Sequence, residues 1–132
     1  MEKIYFAYRA HDAHIFQQCH QAMISLEDFT KSYEFVSRPT TPDMKEKLVK
    51  KAIKAEMKDV ALIVVILGQE VRKSPIFDLE VKLAYNQKKK FLVLKIPNTR
   101  HQYPSILAGH KVVEVDWDFP ALVAALDKKF HG

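Results

Sequence analysis

The sequence predicts a doubly wound, flavodoxin-like α/β fold: a five-stranded parallel sheet with helices on both faces. Short runs rich in β-branched and aromatic residues alternate with longer runs of helical periodicity along all 132 residues. The run VALIVVIL, residues 60–67, is apolar at every position, as expected for a central parallel strand that helices cover on both sides. Because the length is that of one ordinary domain, we expect a single domain over residues 1–132.

The first third of the chain contains two predicted strands around one predicted helix. KIYFAY, residues 3–8, has the aromatic and β-branched content of a buried strand. A helix is predicted from about residue 12 to residue 26, with the Asp12 side chain as its N-cap. YEFVS, residues 33–37, is a short second strand.

The next segment, TTPDMKEKLVKKAIKAEM, carries a helix start signal. Thr41 is the predicted N-cap, Pro42 occupies the first helical position, and Asp43 lies where the helix dipole favours negative charge. The apolar face is predicted to consist of Met44, Leu48, Ile53 and Met57.

The second half of the chain continues the alternation after the central strand. The predicted elements are a helix over 76–87, strands over 91–96 and 111–115, and a last helix over 119–130. In such a sheet, ligands bind at the carboxyl ends of the strands, where the strand order reverses. This rule selects the loops RAHD, SRPTTP, GQEVRKSPIF and PNTRHQ.

The residue content excludes several common chemistries of this fold class. Three glycines in the whole chain cannot build the GxGxxG or GxxxxGK[ST] phosphate loops. A phospho-accepting Asp is missing at the end of the third strand, where residues 67–69 read LGQ. Cys19 is alone and is predicted to be a buried small hydrophobe, and His11 and His14 lack partners at metal spacing. We therefore expect no metal and no cofactor.

Charge and hydropathy restrict the partners and the location. The net charge of +5 is concentrated in MKEKLVKKAIKAEMK and QKKKF, and because aromatic residues do not interleave these runs, we interpret them as solvated faces and expect no nucleic-acid partner. No uninterrupted apolar run reaches the roughly 18 residues of a membrane helix, and the first residues do not resemble a signal peptide. We expect a cytoplasmic protein that does not contact the membrane.

A carboxylate-based chemistry remains, with Glu80 as its candidate. Glu80 lies one turn into the helix after the central strand, where the dipole is expected to keep it ionised. Cleavage of an N-glycosidic bond passes through an oxocarbenium ion that one ionised carboxylate can stabilise without a metal or cofactor. The alternative is a solvated first-turn carboxylate that only stabilises its helix.

Three segments also follow one another in the order of a known family: IYFAYRAHD, DMKEKLVKKAIKAEMKDVALIVVILG and SPIFDLEVKLAYNQKKKFLVLKI. Over residues 4–96 the chain resembles the TIR-like domains of bacterial antiphage systems, particularly the small signal-producing subunit of Thoeris systems. The positions that carry the resemblance are Ala7, Tyr8, Asp12, Ser74, Phe77, Glu80, Ala84 and Lys88 to Lys90.

The resemblance implies a function and a site. Glu80 would be the catalytic residue of NAD+ cleavage, in which nicotinamide leaves and an ADP-ribose-derived signal molecule forms. Phe77 would pack against the nicotinamide or ribose, and Arg9 would be available to a phosphate. The other substrate-binding residues would be Phe6, Tyr8, Asp12, Arg38 and Ser74.

Partners follow from the same resemblance. NAD+ would be a substrate rather than a cofactor, a phage-derived component would trigger the enzyme, the domain would self-associate, and a separate effector protein would read the signal.

Several alternatives stay open at the level of sequence. Asp12 is interpreted first as a helix cap, Ser74 as a helix start, and Arg38 equally as a phosphate contact, a partner contact or a solvated loop residue. A nucleoside deoxyribosyltransferase also uses a carboxylate on a similar sheet. A catalytically silent TIR-like adaptor is the non-enzymatic alternative.

Overall fold

The computed structural model describes residues 1–39 and 45–132, and its five strands form one sheet with helices around it. The strands are β1 (Glu2–Ala7), β2 (Tyr33–Val36), β3 (Val60–Leu67), β4 (Lys90–Lys95) and β5 (Val113–Val115). The helices are α1 (Ala13–Ile24), α2 (Glu27–Thr30), α3 (Glu46–Lys58), α4 (Pro75–Asn86) and α5 (Phe119–His131).

All four strand pairings are parallel, in the order β2-β1-β3-β4-β5. This order confirms the predicted doubly wound, flavodoxin-like sheet. The strand order reverses between β1 and β3, so the loops that follow these two strands diverge and leave a crevice at the carboxyl edge.

Helices cover both faces of the sheet, and each face has its own apolar core. Residues of β1 alternate between the two cores, with Phe6 facing α1 and α5, and Tyr5 facing α3 and α4. The central strand β3 is buried from Leu62 to Leu67 and contributes to both cores, as its uninterrupted apolar sequence predicted. Cys19 is fully buried in the α1 face, as predicted.

The region after β1 differs from its prediction. A short 3₁₀ turn over Ala10–Asp12 precedes α1, and the helix ends at Ile24 instead of continuing to residue 26. Asp12 occupies the N-cap position, but its side chain accepts no capping hydrogen bond. The interpretation of Asp12 as a cap is therefore wrong, because its carboxylate is turned inward and buried.

Two further predictions are affected in α3 and β5. The start signal at Thr41, Pro42 and Asp43, together with Met44, lies outside the described residues. Leu48 is 53% exposed, so the buried face of α3 consists of Ile53 and Met57. Strand β5 is shorter than predicted, since an edge strand pairs on one side only.

Within the described part of the chain, no helix is long and apolar enough to cross a membrane.

Candidate active site

Helix α4 carries Glu80 from the end of the central strand back across the sheet. Ser74 occupies the N-cap position and Pro75 the first helical position, where a missing N–H costs nothing. Glu80 lies in the second turn, and its side chain points toward the sheet with 0% of its surface exposed. The alternative of a solvated carboxylate is therefore wrong.

Residues from β1 and from the end of β2 surround the Glu80 carboxylate. The Tyr5 hydroxyl donates a hydrogen bond to Oε2. On the other side, Nη2 of Arg38 lies 3.0 Å from Oε1. Oε1 itself accepts no well-directed hydrogen bond from the residues that the structure describes. One carboxylate oxygen is thus fixed by a hydroxyl, and the other faces only a guanidinium.

Arg38 closes the site from the side of β2. Its Nη2 also donates to the backbone carbonyl of Tyr8, and the guanidinium carbon lies 3.9 Å from the centre of the Tyr8 ring. The Tyr8 ring stacks in turn on Phe16, with centroids 4.0 Å apart. Arg38 is 7% exposed, so the alternative of a solvated loop arginine is wrong.

Burial controls the protonation of this cluster. Desolvation raises the pKa of Glu80 from its ordinary 4.5 to about 7, although the Arg38 charge, the Tyr5 hydroxyl and the nearby Tyr8 backbone act in the opposite direction. Contrary to the expectation from the sequence, the helix dipole therefore does not keep Glu80 fully ionised. Burial and the neighbouring Glu80 raise the pKa of Tyr5 well above its usual range, so its hydroxyl remains a donor.

Arg9 connects the loops after β1, β3 and β4. Its Nη1 donates to the Gly68 carbonyl at 2.7 Å, and its Nη2 donates to the Gln102 carbonyl at 2.6 Å. The guanidinium also lies over the Phe77 ring, 4.8 Å from its centre. Because both terminal nitrogens are engaged and the residue is 3% exposed, Arg9 is not available to a phosphate in this arrangement.

The two predicted phenylalanines occupy different environments. Phe77 is fully buried beneath Arg9, one turn before Glu80 on α4 and on the same side of the sheet. Phe6 is on the other face, stacked on Phe35 with centroids 4.0 Å apart. Phe6 is therefore not brought to Glu80, since neighbouring residues of a strand point to opposite faces.

Ser74 and Asp12 are buried where the loop after β1 meets the start of α4. The Ser74 hydroxyl accepts the backbone N–H of Ala10 at 3.2 Å and so joins the start of α4 to the loop after β1. Asp12 Oδ2 is 3.7 Å from His11 Nε2, and burial raises the pKa of Asp12. Within the described ranges, no three His, Cys, Asp or Glu side chains are grouped so as to hold a metal ion.

Sequence reasoning missed Tyr5, which is the hydroxyl partner of the candidate catalytic carboxylate. A signal was present, because a tyrosine within a buried strand needs a partner for its hydroxyl group. The residue that fills this role lies 75 positions away along the chain, so only the fold reveals the pair.

Fold and site together define a class: a flavodoxin-like α/β domain with a buried carboxylate beside the point where the strand order reverses. The family model "Thoeris protein ThsB, TIR-like domain" matches residues 5–101, and the chain belongs to this family. No curated protein matches the chain significantly.

Solved structures with the same fold include two proteins that cover nearly the whole chain. A CMP N-glycosidase, BcmB, from Clostridium botulinum is 19% identical, with a TM-score of 0.62 over 97% of this chain and 99% of its own. A 2-desoxiribosyltransferase from Leishmania mexicana is 12% identical, with a TM-score of 0.67 over 100% of both chains. At such identities the likeness establishes the fold alone.

Proposed function

We propose that this domain cleaves the N-glycosidic bond of NAD+, releases nicotinamide and forms an ADP-ribose-derived signal molecule. The observation that carries the proposal is the Glu80 carboxylate, fully buried between a hydroxyl donor and a guanidinium. Buried carboxyl groups with a shifted pKa and defined partners are a frequent property of active sites. Membership of the ThsB TIR-like family directs the choice of substrate.

The proposed reaction places one negative charge beside a developing cation. The bond between the ribose carbon and the nicotinamide nitrogen breaks, and its electron pair leaves with neutral nicotinamide. The ribose carbon becomes an oxocarbenium ion, which ionised Glu80 stabilises or traps as an ester. Attack by water then gives ADP-ribose and one proton; attack by a hydroxyl of the same molecule or by another acceptor gives the cyclic or conjugated product.

The two carboxylate oxygens have different roles in this proposal. Oε2 is oriented by the Tyr5 hydroxyl, whereas Oε1 faces Arg38 and is the oxygen that meets the ribose carbon. Glu80 has no exposed surface and Arg38 contacts its Oε1, so the proposal requires Arg38 to move when the substrate binds. A diphosphate is a suitable new partner for the released guanidinium, because phosphate oxygens match its fork of N–H donors.

The first experiment follows nicotinamide release by chromatography. The purified protein is incubated with NAD+, with and without a lysate from phage-infected cells, beside Glu80→Gln and Asp78→Asn. Asp78 is an exposed carboxylate on the same helix and serves as the matched control. We expect release in the wild type and in Asp78→Asn, and none in Glu80→Gln. Equal release from Glu80→Gln would refute the role of Glu80.

A second candidate is cleavage or transfer at a nucleoside or nucleotide N-glycosidic bond. It is favoured by the shared fold with a CMP N-glycosidase and a 2-desoxiribosyltransferase, because one buried carboxylate serves the same transition state. The same incubations with CMP, and with a deoxynucleoside plus a free base, separate the two. Free cytosine or base exchange without nicotinamide release would select this candidate, and no product in any incubation would select the adaptor.

Further partners belong to the same proposal. A phage component would activate the enzyme, copies of the domain would self-associate, and a separate effector would bind the product. Size-exclusion chromatography before and after addition of the infected-cell lysate measures the self-association directly.

A further inference from the structure

A second concave site lies at the opposite end of the sheet from Glu80. A cavity of about 620 Å³ is formed where β4 and β5 begin and where α5 ends. Its volume falls within the range of pockets that bind small organic ligands, roughly 300–1,000 Å³. The lysines that line it are Lys88, Lys89, Lys90, Lys111 and Lys129.

The charge of this cavity is of one sign. Among the residues that the structure describes, no aspartate or glutamate lines it and none of its five lysines forms an ion pair. The lysines come from three separate segments: the turn after α4 together with the first residue of β4, the segment before β5, and the last turn of α5. Placing like charges around one concavity opposes folding, and a cleft lined by one sign of charge concentrates ions of the opposite sign.

An aromatic wall accompanies the charges. Tyr85 is 41% exposed, and its ring meets His110 edge to face with centroids 5.6 Å apart. Both residues line the cavity, together with Phe91. In the sequence, aromatic residues do not interleave the QKKKF run, which is why it is interpreted there as a solvated face; Tyr85 nevertheless lies just before it at the end of α4, and the fold brings His110 beside it.

We propose that this cavity binds a nucleoside diphosphate or a similar phosphate-bearing nucleotide. The lysines provide several charge-assisted donors for the phosphate oxygens, and the Tyr85 ring provides a flat surface for a base. The site is separate from Glu80, because it lies at the amino ends of the strands, whereas Tyr8 and Arg38 follow the carboxyl ends of β1 and β2.

The test measures binding by isothermal titration calorimetry with ADP, inorganic pyrophosphate, adenosine and a single-stranded oligonucleotide. The principal variant is Lys111→Gln/Lys129→Gln. Its matched control is Lys47→Gln/Lys54→Gln, which removes the same charge from exposed positions of α3 that do not line the cavity. Glu80→Gln and Tyr85→Leu complete the set, and thermal unfolding verifies that each variant is folded.

We expect ADP and pyrophosphate to bind to this cavity and adenosine to bind far more weakly. Affinity for ADP should fall about tenfold or more in Lys111→Gln/Lys129→Gln and remain within about twofold in the α3 control and in Glu80→Gln. Tyr85→Leu should weaken the binding of ADP but not the binding of pyrophosphate, because only ADP carries a base.

Three results would overturn the proposal. Equal loss of ADP binding in both double variants would mean that net charge alone attracts the anion. Unchanged binding in Lys111→Gln/Lys129→Gln would place the ligand elsewhere. Binding of the oligonucleotide without measurable binding of ADP or pyrophosphate would identify a nucleic-acid surface instead of a nucleotide site.

Discussion

The Tyr5 hydroxyl donates a hydrogen bond to Oε2 of Glu80, joining the first strand of the sheet to the helix that follows the third. Both groups are buried, so water does not compete for the bond. Tyr5 thereby fixes the orientation of the carboxylate and lowers its pKa relative to a carboxylate buried without a donor. This contact makes Tyr5 a positioning residue for the proposed reaction.

Replacing Tyr5 with Phe removes the hydroxyl and keeps the ring. Without this donor the pKa of Glu80 rises above about 7, so we expect the acid limb of nicotinamide release to move to higher pH. Activity at pH 7 should fall and recover in part at pH 8.5. A rate profile over pH 5.5–9 measures the shift. Tyr33→Phe, which removes a hydrogen bond to Asp127 away from the site, should leave the profile unchanged.

The stability of Glu80→Gln should depend on pH relative to the wild type. A carboxyl whose pKa rises on folding from 4.5 to about 7 binds more protons in the folded state across that window. The free energy of unfolding of the wild type therefore falls as pH rises from 4.5 to 7, whereas the glutamine side chain of the variant does not titrate. We therefore expect the free energy of unfolding of the variant, relative to that of the wild type, to increase by roughly 2–3 kcal/mol between pH 5 and pH 8 when it is measured by urea unfolding. A difference that is constant with pH would contradict the raised pKa.

Removing Arg38 should expose the cost of an uncompensated buried carboxylate. We expect Arg38→Met to lower the free energy of unfolding at pH 8 by about 3–5 kcal/mol, because it leaves Glu80 buried without its cation. The loss should shrink at pH 5, where Glu80 is protonated. The double variant Arg38→Met/Glu80→Gln should lose less than the sum of the two single variants. Additive losses in this urea-unfolding cycle would show that the two side chains do not interact.

Arg9 is expected to act as a structural connection between loops. Arg9→Met removes the donors to the Gly68 and Gln102 carbonyls, and we expect it to cost roughly 2–4 kcal/mol of unfolding free energy. Arg72→Met, an exposed arginine in the loop after β3, is the control and should be nearly neutral. Wild-type stability of Arg9→Met in urea unfolding would mean that water satisfies both carbonyls.

Much of the fold was predictable because several elements carry local signals. The bounds of β3 agree with the prediction at both ends. Its uninterrupted apolar run indicates a central strand that is covered on both faces, and the run has the same length as the strand. Helix α4 begins within one residue of its prediction because Ser74 and Pro75 mark a helix start. The region around Asp12 was less predictable, because its burial depends on packing against distant loops.

The candidate site was predictable only in part. Glu80 and the crevice followed from the topology rule and the family resemblance. The ion pair with Arg38 joins residues whose neighbours in sequence give no sign of it, since an arginine before Pro39 in a polar loop has the pattern of a solvated residue. Burial of a charged pair is a property of the assembled fold, which single-sequence periodicity does not encode.

Strand β2 has four residues and, in the described sheet, pairs only with β1, so the arginine opposite the carboxylate follows an edge strand of a sheet whose centre is fully paired. Detachment of such an edge needs less free energy than global unfolding. Access to Glu80 can therefore change while β1, β3 and β4 stay assembled. The candidate carboxylate thus lies against the fully paired centre of the sheet, whereas the arginine beside it follows an edge strand that is paired on one side only.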